Sequence, residues 1–243
     1  MTKHLKPLVV VTGASSGIGA AIARQLSADG HALLLVARRL DKIQALGLTN
    51  AICRQVDVTD TNAFCAAVSE AEAAFGPVDC LVNNAGIMLL GQPDVQDPQE
   101  WRQMFDLNVL ALLGTMQTVL PGMKSRGKGS VINISSIAGK KTFANHAAYV
   151  GSKFAVSSIS ENIREEVAEL GIRIMTICPG AVETELLEHT TNRDIIDGYQ
   201  AWKESMGGAI SPDDIARAVS FIYAQPQNVN IRELVIAATR QNA

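Results

Sequence analysis

The spacing of the hydrophobic positions changes in a regular order along the chain. Short apolar runs rich in β-branched residues predict strands at Leu8–Thr12, His31–Val36, Ile52–Val56, Val78–Val82, Ser130–Ile134, Ile172–Ile177 and Arg232–Ala237. Amphipathic stretches between them predict helices at Gly17–Asp29, Thr61–Phe75, Pro98–Met123 and Ala147–Leu170, with a further helix beginning at Ser211 as its N-cap. This alternation predicts an α/β fold, a doubly wound parallel sheet with helices on both faces.

Residues 183–208 interrupt the alternation, because they are polar, weakly periodic and end in Gly207-Gly208. Such a segment fits a flap over a binding site and a plain surface excursion equally well. The sequence contains no repeat and no linker-like stretch. We therefore expect residues 1–243 to form a single domain in which 183–208 is the candidate substrate flap.

Length and composition limit the functional classes. The chain has 243 residues, 47% of them hydrophobic and 19% charged, which is ordinary for one globular domain. The net charge of -3 gives no electrostatic reason to expect a nucleic-acid partner. The apolar run Leu8–Val11 is too short for the core of a signal peptide, and Leu107–Met123 is interrupted by polar residues. We expect no membrane partner.

The four cysteines and four histidines do not predict a metal site. The cysteines are scattered without a C-x-x-C pair, and the histidines lie far apart. We expect reduced thiols in the cytoplasm, histidines at the surface or at helix caps, and no metal.

A glycine-rich segment, Thr12–Gly19, follows the first strand and opens the first helix. Its glycines allow a tight turn and leave bare backbone N–H groups at a helix N-terminus, where a pyrophosphate can bind. The spacing is G-x-x-x-G-x-G rather than the general dinucleotide fingerprint G-x-G-x-x-G. Glycine-rich turns are common, so the prediction of a pyrophosphate site depends mainly on the strand before this segment and the helix after it.

This segment resembles the T-G-x-x-x-G-I-G motif of the short-chain dehydrogenase/reductase family, and the resemblance covers nearly the whole chain. Asn83–Gly86 matches the family's N-N-A-G, and Pro179-Gly180 with Thr184 matches its P-G-x-x-x-T. The resemblance implies a Rossmann-type domain with a nicotinamide cofactor. The cofactor contacts it implies are Gly13, Ser15, Ser16, Gly17, Ile18, Gly19, Arg38, Arg39, Asp57, Val58, Asn84, Ala85, Gly86, Tyr149, Lys153, Pro179, Gly180, Val182 and Thr184.

The end of the second strand indicates which nicotinamide is used. Enzymes that use NAD place an acidic residue there to bind the ribose 2′-hydroxyl, but this chain has Ala37 followed by Arg38 and Arg39. A guanidinium suits a 2′-phosphate, which a carboxylate would repel. We therefore expect NADP(H), with Arg38 as the main contact and Ser15 as a second.

Tyr149 and Lys153 lie four residues apart at the start of a predicted helix, so they share one face. They match the family's Y-x-x-x-K, in which the lysine charge favours the tyrosine phenolate for acid–base work. The resemblance further implies that Ser136 bonds the substrate oxygen and that Asn108 bends its helix and holds a water. Read without the resemblance, Asn108 fits a buried polar residue bonded to backbone.

The resemblance places the substrate wall after the catalytic serine, just before the tyrosine, and in the flap. The candidates are Ser136, Lys140, Lys141, Phe143, Asn145, Tyr149 and Arg193. The basic residues among them would bind an acidic group, although each also fits a solvated surface charge. Residues 84–90 and the C-terminal run from Ser211 to Leu234 are similar to a branch of small bacterial NADP-dependent 3-hydroxy acid dehydrogenases, clavulanate-type reductases and sulfoacetaldehyde reductases. This similarity implies a small polar aldehyde or alcohol bearing a carboxylate or sulfonate.

Two other functions share these motifs: a reductase of a bulkier ketone, of ketoacyl or steroid type, and a non-catalytic NADP(H)-binding regulator. The regulator is disfavoured because Tyr149 and Lys153 are both present. The helices at Asn108–Met123 and Tyr149–Leu170 match the family's dimer helices and carry more apolar residues than one buried stripe needs. We expect a homotetramer or homodimer.

Overall fold

The strands pair in parallel into one sheet. A computed structural model describes residues 5–242, and within them seven strands follow the order 3-2-1-4-5-6-7. The strands are β1 (Lys6–Thr12), β2 (His31–Ala37), β3 (Ala51–Gln55), β4 (Val78–Asn83), β5 (Gly129–Ile134), β6 (Ile172–Pro179) and β7 (Glu233–Ile236). The predicted doubly wound α/β fold is confirmed. The predicted strand bounds shift by one or two residues, as they do for β3 and β7.

Helices cover both faces of the sheet. They are α1 (Gly17–Ala28), α2 (Leu40–Gln44), α3 (Thr61–Phe75), α4 (Pro98–Phe105), α5 (Ala111–Arg126), α6 (Ala147–Val167), α7 (Arg193–Ser205) and α8 (Pro212–Tyr223). Successive side chains of a strand point to opposite faces, so Leu8 and Val10 of β1 pack with α3, α5 and α6. Val9 and Val11 of the same strand pack with α1 and α8 on the other face.

The long predicted helix at Pro98–Met123 is continuous but changes its winding. Helices α4 and α5 join through a π-helical turn at Asp106–Leu110, a change of winding that includes Asn108, where a bend is expected. This run, Pro98–Arg126, is long and apolar enough to cross a membrane by length and composition alone. It packs on the sheet instead, with Met116 and Met123 fully buried.

The segment 183–208 is more regular than the sequence predicts. It contains a 3₁₀ turn at Glu185–His189 and the amphipathic helix α7, which Asn192 caps by accepting a hydrogen bond from the Ile195 N–H. The apolar side chains of α7 pack on a core cluster that includes Leu187 and Tyr149. The segment is therefore ordered and borders the cleft, and its role as a flap stays a prediction.

The order of the strands creates a crevice at the carboxyl edge of the sheet. The chain leaves β1 toward β2 on one side, while β4 pairs with β1 on the other. Ligands of doubly wound sheets bind at such a switch point. The turn after β1 and the start of α1 border this crevice, which is where the glycine-rich segment lies.

Close packing at Gly19 gives the first testable prediction. A Cβ on Gly19 would overlap the carbonyl of Gly13 and approach Asn84 Nδ2 to 2.5 Å, whereas one on Gly198 would meet nothing within 4 Å. Both glycines lie in helices. We expect Gly19→Ala to lower the free energy of unfolding by about 1–3 kcal/mol, and Gly198→Ala to raise it by up to about 1 kcal/mol. Urea denaturation of the two variants measures this, and equal stabilities would contradict the packing argument.

Candidate active site

A cleft of about 1410 Å³ runs along the carboxyl edge of the sheet. The turn after β1 lines one end, and Tyr149 with α7 lines the other. Most of the predicted site residues border it, namely Gly13, Ser15, Ser16, Gly17, Ile18, Arg38, Arg39, Asp57, Val58, Asn84, Ala85, Gly86, Ser136, Phe143, Asn145, Tyr149, Lys153, Pro179, Gly180, Val182, Thr184 and Arg193. Four predicted residues are not part of its lining: Gly19, Asn108, Lys140 and Lys141.

The turn after β1 is tied to the turn after β4. The Thr12 hydroxyl accepts hydrogen bonds from the N–H groups of Asn84 (3.0 Å) and Ala85 (3.1 Å). In return, Asn84 Nδ2 donates to the carbonyls of Thr12 (3.0 Å) and Gly13 (3.2 Å). Gly13 has a φ of 66°, which favours glycine. These contacts hold the N-terminus of α1 facing the cleft, where its free N–H groups suit an anion.

Of the two arginines after β2, Arg39 lies against the phosphate loop. Its Nη2 donates to the hydroxyls of Ser15 (3.2 Å) and Ser16 (2.7 Å), and its Nη1 pairs with Glu185 (3.0 Å). Arg38, predicted as the main contact, is exposed. Its charge acts instead on Asp57.

Asp57 borders the cleft opposite the phosphate loop. Burial alone would raise the pKa of its carboxyl group, but hydrogen bonds from the backbone and hydroxyl of Thr59 lower it. The charge of Arg38 lowers it further, and the net pKa lies below the ordinary value. Asp57 is therefore a carboxylate at neutral pH, able to accept hydrogen bonds.

At the other end of the cleft, Tyr149 and Lys153 are buried on the first turns of α6. Burial raises the pKa of the Tyr149 hydroxyl, and the neighbouring Ser136 hydroxyl offsets only part of this rise. Burial lowers the pKa of Lys153 to about 8. The Lys153 ammonium donates to the Ile134 carbonyl (3.0 Å) and lies 5.8 Å from the centroid of the Tyr149 ring.

The two serines after β5 differ in their surroundings. Ser135 is bonded to α6, through the Lys153 carbonyl (3.1 Å) and the Ser157 hydroxyl (2.9 Å). Ser136 accepts a hydrogen bond from the Ala138 N–H (3.0 Å) and lies beside Tyr149. Ser136 is therefore the serine whose hydroxyl is available to a group held at Tyr149.

Asn108 is buried behind this group. Its side-chain oxygen accepts from the Ile87 N–H (2.9 Å), and its nitrogen donates to the Ile87 carbonyl (2.9 Å) and the Ser152 hydroxyl (3.1 Å). The side chain thus ties the turn after β4 to α6. The two bonds to Ile87 are bonds to backbone atoms, as expected if Asn108 is a buried polar residue.

The predicted basic wall of the substrate site is only partly present. Lys140 points away from the cleft and forms an ion pair with Glu233. Lys141 lies over the Phe143 ring, 5.1 Å from its centroid. Neither lysine lines the cleft, whereas Arg193 does border it. Glu233 holds the charge of Lys140, while Lys141 donates to the Asn242 carbonyl (3.4 Å) beside the cleft residue Phe143.

Aromatic side chains line this end of the cleft as a wall, and two of them, Tyr199 and Trp202, were not singled out by the sequence. The Tyr199 and Trp202 rings of α7 meet edge to face at 5.2 Å, and His146 stacks on Tyr199 at 6.2 Å. His146 occupies the cap position of α6, as expected for a cap residue, but it also lines the cleft. Burial lowers the pKa of His146, so its ring is neutral at pH 7. The helical spacing of Ile195, Tyr199 and Trp202 is the signal that could have revealed this wall.

Comparison with known proteins identifies the class. The profile of the short chain dehydrogenase family matches residues 7–194, so the chain belongs to that family. It is 38% identical over 241 residues to an uncharacterised oxidoreductase of Staphylococcus saprophyticus, with 97% of both chains covered. The chain is an oxidoreductase that depends on a nicotinamide cofactor.

Two further similarities bear on the chemistry. The closed form of a serine dehydrogenase in complex with NADP⁺ superposes with a TM-score of 0.89 at 32% identity, covering 97% of this chain and 96% of that one. A glycine betaine reductase of Emericella nidulans is 37% identical over 236 residues, which span 94% of this chain and 18% of that protein.

The buried lysine gives the second prediction. An unfolded lysine has a pKa near 10.4, so the folded chain, with a pKa of about 8 at Lys153, binds fewer protons between these values. Stability should therefore rise with pH across that window, and the full penalty of burying the charge applies below pH 8. We expect Lys153→Met to raise the free energy of unfolding at pH 7 by about 2 kcal/mol, while activity is lost.

Urea denaturation between pH 6.5 and 10 measures the effect, and the gain should shrink as the pH rises. Lys124→Met on α5 is the matched control, because Lys124 is exposed and its removal should change stability little. A Lys153→Met variant less stable than the parent at pH 7 would show that the hydrogen bond to Ile134 outweighs the burial of charge.

Proposed function

We propose that this chain is an NADP(H)-dependent reductase that transfers a hydride between NADPH and a small polar aldehyde, or the corresponding alcohol. The observation that carries the proposal is the convergence of Ser136, Tyr149 and Lys153 at one end of a cleft whose other end is a glycine-rich helix N-terminus. One end provides acid–base groups, and the other provides an anion site. In this proposal Asn108 is a positioning residue, since it bonds to backbone and to Ser152 on α6.

The residues present fit a dinucleotide phosphate. The cleft of about 1410 Å³ exceeds the roughly 300–1,000 Å³ of a site for one small ligand, so it has room for cofactor and substrate together. The bare backbone of Gly13 and Gly17 would hold the pyrophosphate, with Gly19 packed behind them, and Asp57 with Val58 would contact the adenine. The segment Pro179–Thr184, including Gly180 and Val182, would hold the nicotinamide carboxamide.

Arginine in place of an acid after β2 supports NADP(H) over NAD(H). Arg39, with Ser15 and Ser16, would bind the 2′-phosphate, and Arg38 would add a second positive charge. The NADP⁺ complex of the similar serine dehydrogenase agrees with this choice.

The catalytic step follows from the protonation states. When bound, the cofactor supplies or accepts the hydride. Because burial raises its pKa, Tyr149 holds its proton at neutral pH and can donate it to a developing alkoxide. Ser136 would hydrogen-bond the same oxygen, and the Lys153 ammonium would stabilise the phenolate that Tyr149 leaves. By microscopic reversibility the same groups serve the reverse reaction, in which the tyrosinate accepts the proton of the alcohol.

Two classes of substrate are candidates for the end of the cleft lined by Tyr149 and α7. The acidic aldehyde suggested by the sequence keeps support from Arg193, but Lys140 and Lys141 are not part of the cleft lining. The wall of Phe143, Tyr199 and Trp202 favours a second candidate, an aldehyde bearing an ammonium group, since aromatic faces attract such cations. The similarity to a glycine betaine reductase also supports the second class.

We also propose a cytoplasmic homo-oligomer. Phe105, Leu110 and Phe154 are 40%, 58% and 42% exposed on the run Pro98–Arg126 and on α6. Exposed large apolar side chains on adjacent helices are typical of an interface, which supports a homodimer or homotetramer built on these helices. The cysteines among the described residues are unpaired, which agrees with a reducing compartment.

The third prediction tests the reaction. We expect purified protein to oxidise NADPH with at least one small aldehyde, and Tyr149→Phe to lower kcat by about 10²–10⁴-fold with NADPH binding unchanged. Malonic semialdehyde, succinic semialdehyde, sulfoacetaldehyde and betaine aldehyde form the panel, with 3,3-dimethylbutanal as the neutral isostere of the last. Binding of NADPH without turnover of any carbonyl would favour the regulator. Turnover of bulky ketones alone would favour the ketoacyl or steroid class.

The fourth prediction separates the substrate classes. If the substrate is acidic, Arg193→Gln should lower kcat/KM for the acidic aldehydes by about 10-fold and leave betaine aldehyde unchanged. If the substrate bears an ammonium group, Trp202→Leu should lower kcat/KM for betaine aldehyde more than for its neutral isostere, whereas Trp202→Phe should retain most of the preference. Equal effects of Trp202→Leu on both isosteres would show that the wall is merely apolar.

A further inference from the structure

Glu185 joins the candidate flap to the phosphate loop. Its Oε2 lies 3.0 Å from Nη1 of Arg39, while Nη2 of the same guanidinium donates to Ser15 (3.2 Å) and Ser16 (2.7 Å). One arginine therefore bonds at once to the turn after β1 and to the start of segment 183–208. Both partners are about half exposed, 47% for Arg39 and 44% for Glu185, so a ligand in the cleft can reach them.

The local fold holds Glu185 in this place. Thr184 caps the 3₁₀ turn Glu185–His189, accepting a hydrogen bond from the Leu186 N–H (3.3 Å). The same threonine packs beside Gly17, where a Cβ would meet its methyl group at 3.1 Å. Glu185 follows directly, so its carboxylate lies over the N-terminus of α1. The hydrogen bond from Arg39 lowers the pKa of Glu185, which keeps it ionised at neutral pH.

The Glu185 carboxylate binds the same guanidinium that the 2′-phosphate of the cofactor would bind. Carboxylate and phosphate oxygens bind the guanidinium fork in the same way, and Arg39 is the residue to which the proposed function assigns the 2′-phosphate. A 2′-phosphate bound at Arg39 would also lie close to the charge of Glu185, and like charges repel. The two anions therefore compete for one cation.

We propose that Glu185 is an internal competitor of the 2′-phosphate, holding Arg39 until NADP(H) displaces it and frees the start of segment 183–208 from the phosphate loop. This inference rests on the proposed use of NADP(H). It makes release of the flap specific for the phosphorylated cofactor, because NAD(H) carries only a hydroxyl at that position. The same contact lowers the apparent affinity for NADP(H), since binding must first break the ion pair.

The test compares NADPH and NADH, which differ only in the 2′-phosphate. Dissociation constants are measured by nucleotide fluorescence for the parent, for Glu185→Gln and for Glu188→Gln. Glu188 lies on the same 3₁₀ turn and lines the cleft, so its variant removes an equal charge without touching the pair with Arg39. We expect Glu185→Gln to tighten NADPH by about three- to five-fold, with NADH unchanged and Glu188→Gln close to the parent.

An Arg39→Met background provides the second measurement. If Glu185 acts mainly through Arg39, Glu185→Gln should tighten NADPH binding much less when Arg39 is absent, because only the direct repulsion of the 2′-phosphate is then relieved. Thermal unfolding of each variant verifies that the fold is kept.

Each other outcome overturns the inference. Weaker NADPH binding by Glu185→Gln would mean that the carboxylate clamps Arg39 onto the bound cofactor. If Glu185→Gln and Glu188→Gln tighten NADPH binding equally, the effect comes from the loss of any negative charge near the cleft. If Glu185→Gln tightens NADPH and NADH equally, Glu185 does not compete with the 2′-phosphate. If the parent protein binds neither nucleotide, the proposed function itself fails, which is distinct from a parent that binds NADPH but does not respond to Glu185→Gln.

Discussion

The reciprocal hydrogen bonds between Thr12 and Asn84 fix the geometry of the cleft. They join the turns after β1 and β4, which are neighbours in the sheet but far apart in the sequence. With those turns held together, Gly13 takes its positive φ and the N-terminus of α1 faces the crevice. The turn after β4 then continues to Ile87, whose backbone is bonded by Asn108, and Asn108 in turn bonds Ser152 on α6. One chain of hydrogen bonds thus links the anion site to the helix that carries Tyr149 and Lys153.

Local sequence patterns predicted the features that depend on residues close together in the chain, such as strands, helix caps and residues on one helix face. Apolar runs alternating with amphipathic stretches predicted the parallel sheet. Ser211 was predicted as the N-cap of α8, where the structure shows a capping box with Asp214. Tyr149 and Lys153 share a face because α6 is a helix. The family resemblance, rather than any local pattern, pointed to Asn108, which lies in the π-helical turn and forms two hydrogen bonds to the backbone of Ile87.

The remaining features depend on partners that sequence neighbours do not reveal. Lys140 is turned from the cleft by Glu233, which arrives on the last strand of the described sheet. Arg38 and Arg39 both border the cleft, but Arg39 is the one that bonds Ser15 and Ser16, and the order of the two residues does not predict this. Helix α7 was missed because its apolar face, with Tyr199 and Trp202, is recognisable only against the cluster it covers at Tyr149.

The burial of Lys153 beside Tyr149 also lowers the free energy of unfolding. Lys153 lies in no ion pair within residues 5–242, and burial is the largest cause of its lowered pKa. A buried ammonium held only by a carbonyl is unfavourable for folding, yet it is the charge that a tyrosinate would need. Because burial raises its pKa, Tyr149 is protonated in the absence of other charge. The surrounding sheet and helices must therefore offset the burial of both groups, which together bring a proton donor and a cation to one end of the cleft.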